Sequence, residues 1–380
     1  MWIWQQSDWP SQQQETAQVF RYEHAALAPM LRELHFLQGM LLGKMGIQQN
    51  QQAALDTMLA NILTSSAIEG ERLNHSEVRS SLARKLGIDE TQTVATTAQS
   101  DGLAAMVTDA VGNWQQPLTL ERLLQWHAWL FPSDSSLIQR EQIVQRVQGG
   151  QLRGDAPMQV VSGRIERPKV HFEAPPRQVL ESELDCFIDW FNRSKEDANL
   201  DPLLRAGIAH FWFITIHPLE DGNGRLARLL TDLALAQAEH QSIRFYAMSV
   251  AILERRSSYY DVLEQSQKGD TDITAWLVWF LDTLAASLRQ VLADIEQTLQ
   301  KTRFWQHVDQ TRLSQEQVKV LNRLLDGDFS EGISNNQYGK VAKVSPATAS
   351  RHLAQLVEMG CLVKTEAGGR STRYLVPFVP

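Results

Sequence analysis

Cysteine is nearly absent: Cys186 and Cys361 are the only two in 380 residues. Two distant thiols cannot build a disulfide framework, so the sequence predicts a protein of a reducing, cytoplasmic compartment. No apolar run is long enough to span a bilayer, and Arg205 and His210 interrupt the most apolar stretch, so no membrane span is expected. Met1 to Pro10 carry neither a basic n-region nor an apolar h-region, so no secretory leader is expected. A Gly-x4-Gly-Lys-Ser/Thr phosphate loop is missing, which excludes P-loop nucleotide chemistry. Internal repeats are missing too. Positive charge is short overall, 36 Lys and Arg against 44 Asp and Glu.

Apolar material is plentiful: 43% of residues are hydrophobic and eleven are Trp. That content and length support two or three domains with substantial cores. Apolar spacing is mostly helical, so the fold class is mainly α. Residues 1–100 read as an N-terminal helical region, with helices around Phe20 to Leu37 and Ala53 to Ile68. Residues 101–305 read as the core and 306–380 as a separate C-terminal piece. Asp272 opens a long helix with Ile273, Leu277, Phe280, Leu284, Leu288, Val291, Ile295 and Leu299 on one stripe. The stripe either packs on the core or pairs with a second copy as a homodimer.

Chemistry concentrates in His217-Pro-Leu-Glu-Asp-Gly-Asn-Gly-Arg225 and the nearby Arg228. Asp201-Pro202 reads as an N-cap and first turn. Leu204, Ile208, Phe211 and Thr215 carry that helix to His217, where Pro218 and Gly222-Asn223-Gly224 interrupt it. A second helix follows, with Leu226, Leu229, Leu230 and Leu233 on one face. A helix N-terminus fed by such a loop suits an anion, because its backbone N–H groups are unpaired. Gly222 and Gly224 allow close approach, and Arg225 and Arg228 can face one phosphate chain. Asp221 is the kind of hard oxygen ligand that Mg²⁺ uses together with substrate phosphates. His217 can take a proton near neutral pH. A dinucleotide fingerprint at Gly222 fails because the segment before it is helical. His210 and His127 read as structural histidines.

This stretch resembles the signature of Fic-domain proteins, His-Pro-Phe-x-Asp/Glu-Gly-Asn-Gly-Arg-x-x-Arg, with Leu219 in place of the usual Phe. The family typically transfers AMP from ATP to a protein hydroxyl. The resemblance implies a general base at His217, Mg²⁺ on Asp221, phosphates cradled by Gly222, Asn223 and Gly224, and terminal phosphates on Arg225 and Arg228. Leu219 should anchor the loop in the core. Ser65-Ser-Ala-Ile-Glu69-Gly70 is similar to the family's inhibitory Ser/Thr-x-x-x-Glu-Gly/Asn helix. By that likeness Ser65, Glu69 and Gly70 form a brake in which Glu69 pairs with Arg228. Met158 to Gly163 and Lys169 to Phe172 resemble the hairpin flap of Fic domains, with Val170, His171, Phe172 and Glu173 near the nucleotide. Arg256 to Leu263 resembles the adenine-side segment, where Tyr259 or Tyr260 would stack on the base.

The C-terminal piece changes sign. Residues 310–380 carry nine Lys and Arg against six Asp and Glu, a net of +3 within a whole-chain −8. Three helical runs (Leu313 to Leu325, Asn335 to Val341, Thr348 to Val357) precede two strand-like runs around Gly368-Gly369-Arg370. This resembles a winged helix-turn-helix, with Thr348, Arg351 and His352 facing a major groove and Arg370 at the wing tip. The modest charge leaves DNA and protein as alternative partners.

The expected function is therefore protein adenylyltransfer from ATP to a Ser, Thr or Tyr hydroxyl of a protein, itself included, held low by Glu69. Two alternatives stay open. One is a DNA-binding regulator whose Fic core senses nucleotide. The other is a Fic enzyme that transfers or removes another phosphate-linked group.

Overall fold

A computed structural model of the chain describes residues 1–13, 19–45, 51–89, 94–132, 137–140, 143–164, 167–241, 246–365 and 372–377. The fold is mainly helical. In chain order come α1 (His24–Met45), α2 (Gln51–Ile68), α3 (His75–Leu86), α4 (Ala98–Gly112) and α5 (Leu120–Leu130). Two hairpins follow, β1 (Leu137–Arg140) with β2 (Ile143–Arg146), and β3 (Gln159–Arg164) with β4 (Arg167–Glu173). Then come α6 (Leu180–Arg193), α7 (Pro202–Ile216), α8 (Asn223–Glu239), α9 (Met248–Glu254), α10 (Arg256–Ser266) and α11 (Thr274–His307). The chain closes with α12 (Gln315–Leu325), α13 (Asn335–Ala342), α14 (Pro346–Glu358) and a short antiparallel pair, β5 (Val363–Lys364) with β6 (Tyr374–Leu375). Among the described residues no helix is long and apolar enough to cross a membrane.

Packing divides the chain into two compact units, Met1–Arg289 and Gln290–Pro380. In the first, α7 is the central rod: every residue from Leu203 to Ile216 is buried. A helix apolar on most of its surface belongs in a core, and its buried Arg205, His210 and Thr215 are all hydrogen-bonded there. Its start follows local chemistry, since Asp201 Oδ1 accepts the Leu203 N–H at 2.9 Å and Pro202 fills the first turn. Helix α8 packs back along α7 and is buried from Asn223 to Gln237 apart from Gly224.

The N-terminal segment is tied into this same unit. Trp9 Nε1 donates to the buried Glu183 at 2.8 Å. The helix expected from Phe20 begins later, at His24. Phe20 itself is buried edge-on to Trp9, Phe211 and Trp212. Arg21 is extended: its N–H donates to the Thr271 carbonyl, and its own carbonyl accepts the Ile273 N–H at 3.0 Å. An extended pairing consumed the backbone groups that an earlier helix start would have used.

The second unit packs Phe304, Val320, Leu321, Ile333, Tyr338, Leu353, Leu356 and Leu362 into a small core. Each of its three helices begins on a serine cap, Ser314, Ser334 or Ser345. Lys343, at φ +55°, turns the chain between α13 and α14.

Candidate functional site

The loop between α7 and α8 is built to hold its shape. His217 closes α7 in the left-handed region, at φ +50°, a conformation costly for a non-glycine residue and therefore held by its surroundings. Three contacts hold it. Its N–H donates to the Phe213 carbonyl at 3.1 Å, and its own carbonyl accepts Arg153 Nε at 2.8 Å. The Arg153 N–H donates to the Pro218 carbonyl at 3.0 Å. Arg153 is 2% exposed and also donates to the Pro175 carbonyl just past β4. One buried guanidinium thus ties the histidine turn to the end of the flap hairpin.

Leu219 is buried, as the substitution at the usual Phe position implied. Asn223 braces the same turn from inside. Its Oδ1 accepts the Leu219 N–H at 2.9 Å, and its Nδ2 donates to the Leu219 carbonyl at 2.8 Å. One donor and one acceptor site of the amide are therefore committed to the loop's own shape.

His217 is placed to act as a base. Its Nδ1 lies 3.1 Å from the Ile214 carbonyl; that oxygen can only accept, so Nδ1 carries the proton and Nε2 keeps its lone pair. The residue keeps some accessible surface, yet the protein crowded around its ring dominates. Desolvation pushes the pKa down to about 4, with Arg153 adding to the effect and the Ile214 bond opposing it. The ring is neutral at physiological pH.

Helix α8 begins on Gly222 at φ +85° with no side-chain cap, so its first N–H groups are available to an anion. Arg225 and Arg228 stand one turn apart on α8 with side chains 5% and 3% exposed. Asp221 lies beside them: its Oδ1 accepts the Gly222 N–H at 2.6 Å and sits 3.8 Å from Arg225 Nη2.

The residues expected to form a brake meet this site directly. Arg228 Nη2 donates to Glu69 Oε1 at 2.8 Å and to the Ser65 carbonyl at 2.9 Å, and Nε donates to Ser65 Oγ at 2.8 Å. Burial works hardest against the guanidinium's charge, but the Glu69 carboxylate, together with the Tyr259 and Tyr260 hydroxyls, more than offsets it and holds the pKa above the ordinary value. A Cβ on Gly224 would collide with Glu69 Oε1. The carboxylate therefore lies over the Gly224 backbone, where an anion at the helix N-terminus would sit. Gly70, at φ +83°, turns the chain sharply after α2.

Other expected residues are dispersed. In the hairpin, Val160 pairs with Phe172 and Val161 with Val170, so His171 is an extra residue on β4. His171 is bound at both nitrogens, Nδ1 to Glu264 Oε2 at 2.5 Å and Nε2 to Ser162 Oγ at 2.6 Å. Phe172 turns into the core against Trp2. Glu173 Oε2 accepts from Gln159, and Val170 is half-buried at the hairpin.

Tyr259 is 1% exposed with its hydroxyl 2.9 Å from His210 Nε2, which leaves its ring no face for a base. Tyr260 is the outward member of the pair, and its hydroxyl reaches the Ile68 carbonyl beside Glu69 at 3.4 Å. His210 also contacts Thr231 Oγ1 at 2.9 Å, and His127 accepts the Gly150 N–H on Nδ1. Both are buried core histidines.

In the second unit Arg351 is exposed and Thr348 is half-buried within the Ser345 cap. His352 instead turns inward, 3.1 Å from the Tyr338 hydroxyl, because an α14 face that packs on α13 must include that position. Arg370 lies outside the described residues.

Sequence reasoning missed Arg153 and Glu71. Glu71 Oε2 accepts from Arg225 Nη1 at 2.6 Å. Its nearness in sequence to Glu69 was the one available signal; nothing in the sequence marked Arg153.

Comparison with known proteins agrees with this geometry. Residues 117–235 match the family model described as Fic/DOC family, and residues 2–88 match one described as a domain of unknown function (DUF4172). Over 115 residues the chain is 33% identical to protein adenylyltransferase fic-1 of Caenorhabditis elegans, covering 29% of this chain and 21% of that protein. Over 223 residues it is 26% identical to protein adenylyltransferase Fic of Culex quinquefasciatus, covering 58% of this chain and 39% of that one. The chain thus spans between about a fifth and two-fifths of the length of these curated relatives. A crystal structure of a Fic family protein from Desulfovibrio desulfuricans G20 shares the fold, at TM-score 0.53 and 20% identity over 93% of this chain and 97% of that one.

Proposed function

We propose, from the Fic domain that residues 117–235 form, that this chain transfers the adenylyl group of ATP to a hydroxyl of a protein, itself included, and that Glu69 restrains the reaction. The observation that carries this reading is the position of Glu69. Its carboxylate sits at once on Arg228 and over the Gly224 backbone, an anion in an anion site beside a neutral imidazole.

When Glu69 withdraws, the first N–H groups of α8 and the two guanidinium groups can take the phosphates of the nucleotide. His217 Nε2 then accepts the proton of the incoming Ser, Thr or Tyr hydroxyl, whose oxygen attacks the α-phosphorus while pyrophosphate leaves. The phosphates' negative charge raises the basicity of His217 as it is needed. Asp221, a single carboxylate beside the phosphate site, fits Mg²⁺, which takes one or two protein carboxylates plus substrate oxygens. That ion would supply charge neutralisation to the departing phosphates.

The test is incubation of Glu69→Gly with Mg²⁺ and ATP labelled at either the α or the γ position, with His217→Ala in the same background as the control. Label kept from the α position alone, and lost with His217, is the expected result. Retained γ label would mean phosphorylation, and no label from either would mean the site does not transfer.

A further inference from the structure

The two arginines of the phosphate site are both occupied, by two carboxylates from one turn. Glu69 holds Arg228 at 2.8 Å, and Glu71 holds Arg225 at 2.6 Å. The turn that presents them is built for this. The Glu69 and Glu71 N–H groups both donate to the Ser66 carbonyl, at 3.1 and 3.0 Å, and Gly70 between them takes the left-handed conformation. The chain therefore folds back, and residues 69 and 71 reach adjacent turns of α8. Glu71 has support of its own, since Oε1 accepts from Gln99 Nε2 on α4 at 2.5 Å. Besides Glu71, Arg225 has the Asp221 carboxylate 3.8 Å from Nη2 and the Phe131 ring centroid 4.9 Å from its guanidinium carbon, and among the described residues its buried Nε has no hydrogen-bond partner.

Resting on the phosphate-site reading above, we infer that Glu71 is a second, separate latch, which keeps Arg225 from the nucleotide's phosphates when Glu69 has already released Arg228. A carboxylate and a phosphate compete for one guanidinium face, and a ligand must displace the carboxylate to bind it. Removing Glu69 uncovers Gly224 and frees Arg228 but leaves Arg225 committed. The two latches also differ in exposure, because the Glu71 side chain is 32% accessible and that of Glu69 18%. Water and solutes reach Glu71 more easily, so it is the weaker hold of the two.

The test measures dissociation constants for adenosine, AMP, ADP and ATP with Mg²⁺, by calorimetry, on wild type, Glu69→Gly, Glu71→Gln and the double variant. Glutamine keeps the shape of Glu71 and its bond with Gln99 while removing the competing charge. Melting temperatures of these four proteins and of Gln99→Ala check that each is folded. In the Glu69→Gly background, Glu71→Gln should tighten ATP by about 5- to 10-fold, the worth of one partly exposed charge-assisted hydrogen bond. Adenosine should show no gain, because it has no phosphate to offer Arg225. Gln99→Ala, which leaves the charges but removes the brace, should shift ATP in the same direction by less. A double variant that binds ATP no better than Glu69→Gly, or an equal gain for adenosine, overturns the second latch while leaving the phosphate site standing. Failure of every variant to bind ATP overturns the phosphate site and the latch together.

Discussion

Replacing Glu69 by glycine removes the carboxylate from a guanidinium that is 3% exposed and from the backbone of Gly224. Arg228 keeps its bonds to Ser65 Oγ and the Ser65 carbonyl, so the side chain stays in place with its charge uncompensated. Breaking one partner of such a buried pair costs about 3 to 5 kcal/mol. The residual Ser65 bonds and the partial exposure of Glu69 bring the effective hold of the brake down to about 2 to 3 kcal/mol. A site closed by that much is open in roughly 0.6 to 3% of molecules, so removing this hold should raise transfer at subsaturating ATP by about 30- to 160-fold. The assay is the initial rate of self-labelling from α-labelled ATP with Mg²⁺, wild type against Glu69→Gly at equal concentration. The same variant should melt several degrees lower without ligand and regain that loss with ATP, because the phosphates replace the missing charge. Equal initial rates for the two proteins would refute the competition, and an ATP-insensitive melting point would refute the claim that Arg228 is what the nucleotide sees.

Four further outcomes follow from the same geometry. With His217 held down to about 4 in the free protein, its base form persists as pH falls, so kcat/KM should stay flat from pH 8 to about 5 and drop only near 4; a midpoint near 6.5 contradicts this. The depressed values of the buried His127 and His210, about 4 and about 3, mean that only the unfolded chain gains protons below its own pKa of 6.5. Stability should therefore be full above that value and fall by several kcal/mol, roughly, between pH 6.5 and 4, and thermal melting that is flat across this window would contradict it. Asn223→Ala strips the partners from the Leu219 N–H and carbonyl, which should cost about 2 to 4 kcal/mol in stability and slow transfer, and an unchanged urea midpoint would show that the brace is idle. Arg153→Ala should lower kcat far more than it changes nucleotide affinity, since Arg153 bonds the His217 carbonyl and the end of the flap; an effect on affinity alone would contradict its role in holding the histidine turn.

The readable parts of this chain were those written in local chemistry. The Asp201-Pro202 start of α7, its interruption at His217 and the return to helix around the Gly222-Asn223-Gly224 run are each set by residues within one turn. The pairing of Glu69 with Arg228 came from a motif, because no local rule joins residues so far apart in sequence. What escaped were contacts made by tertiary packing. Arg153 earns its place through three backbone carbonyl or amide groups on distant loops, and Glu71 through a turn whose direction depends on the conformation of Gly70. Tyr259 and His352 were misjudged for a related reason: helical spacing fixes a face, and only packing decides whether that face looks outward. Hairpin β1–β2 gave no alternating apolar pattern in Leu137 to Arg146 strong enough to read.

The most direct measurement of the central claim is a crystal structure of Glu69→Gly soaked with ATP and Mg²⁺. The account predicts phosphate oxygens against the first N–H groups of α8 and on Arg225 and Arg228, with His217 Nε2 facing the α-phosphate. Nucleotide bound elsewhere, or an imidazole rotated so that Nδ1 faces the phosphates, would contradict it.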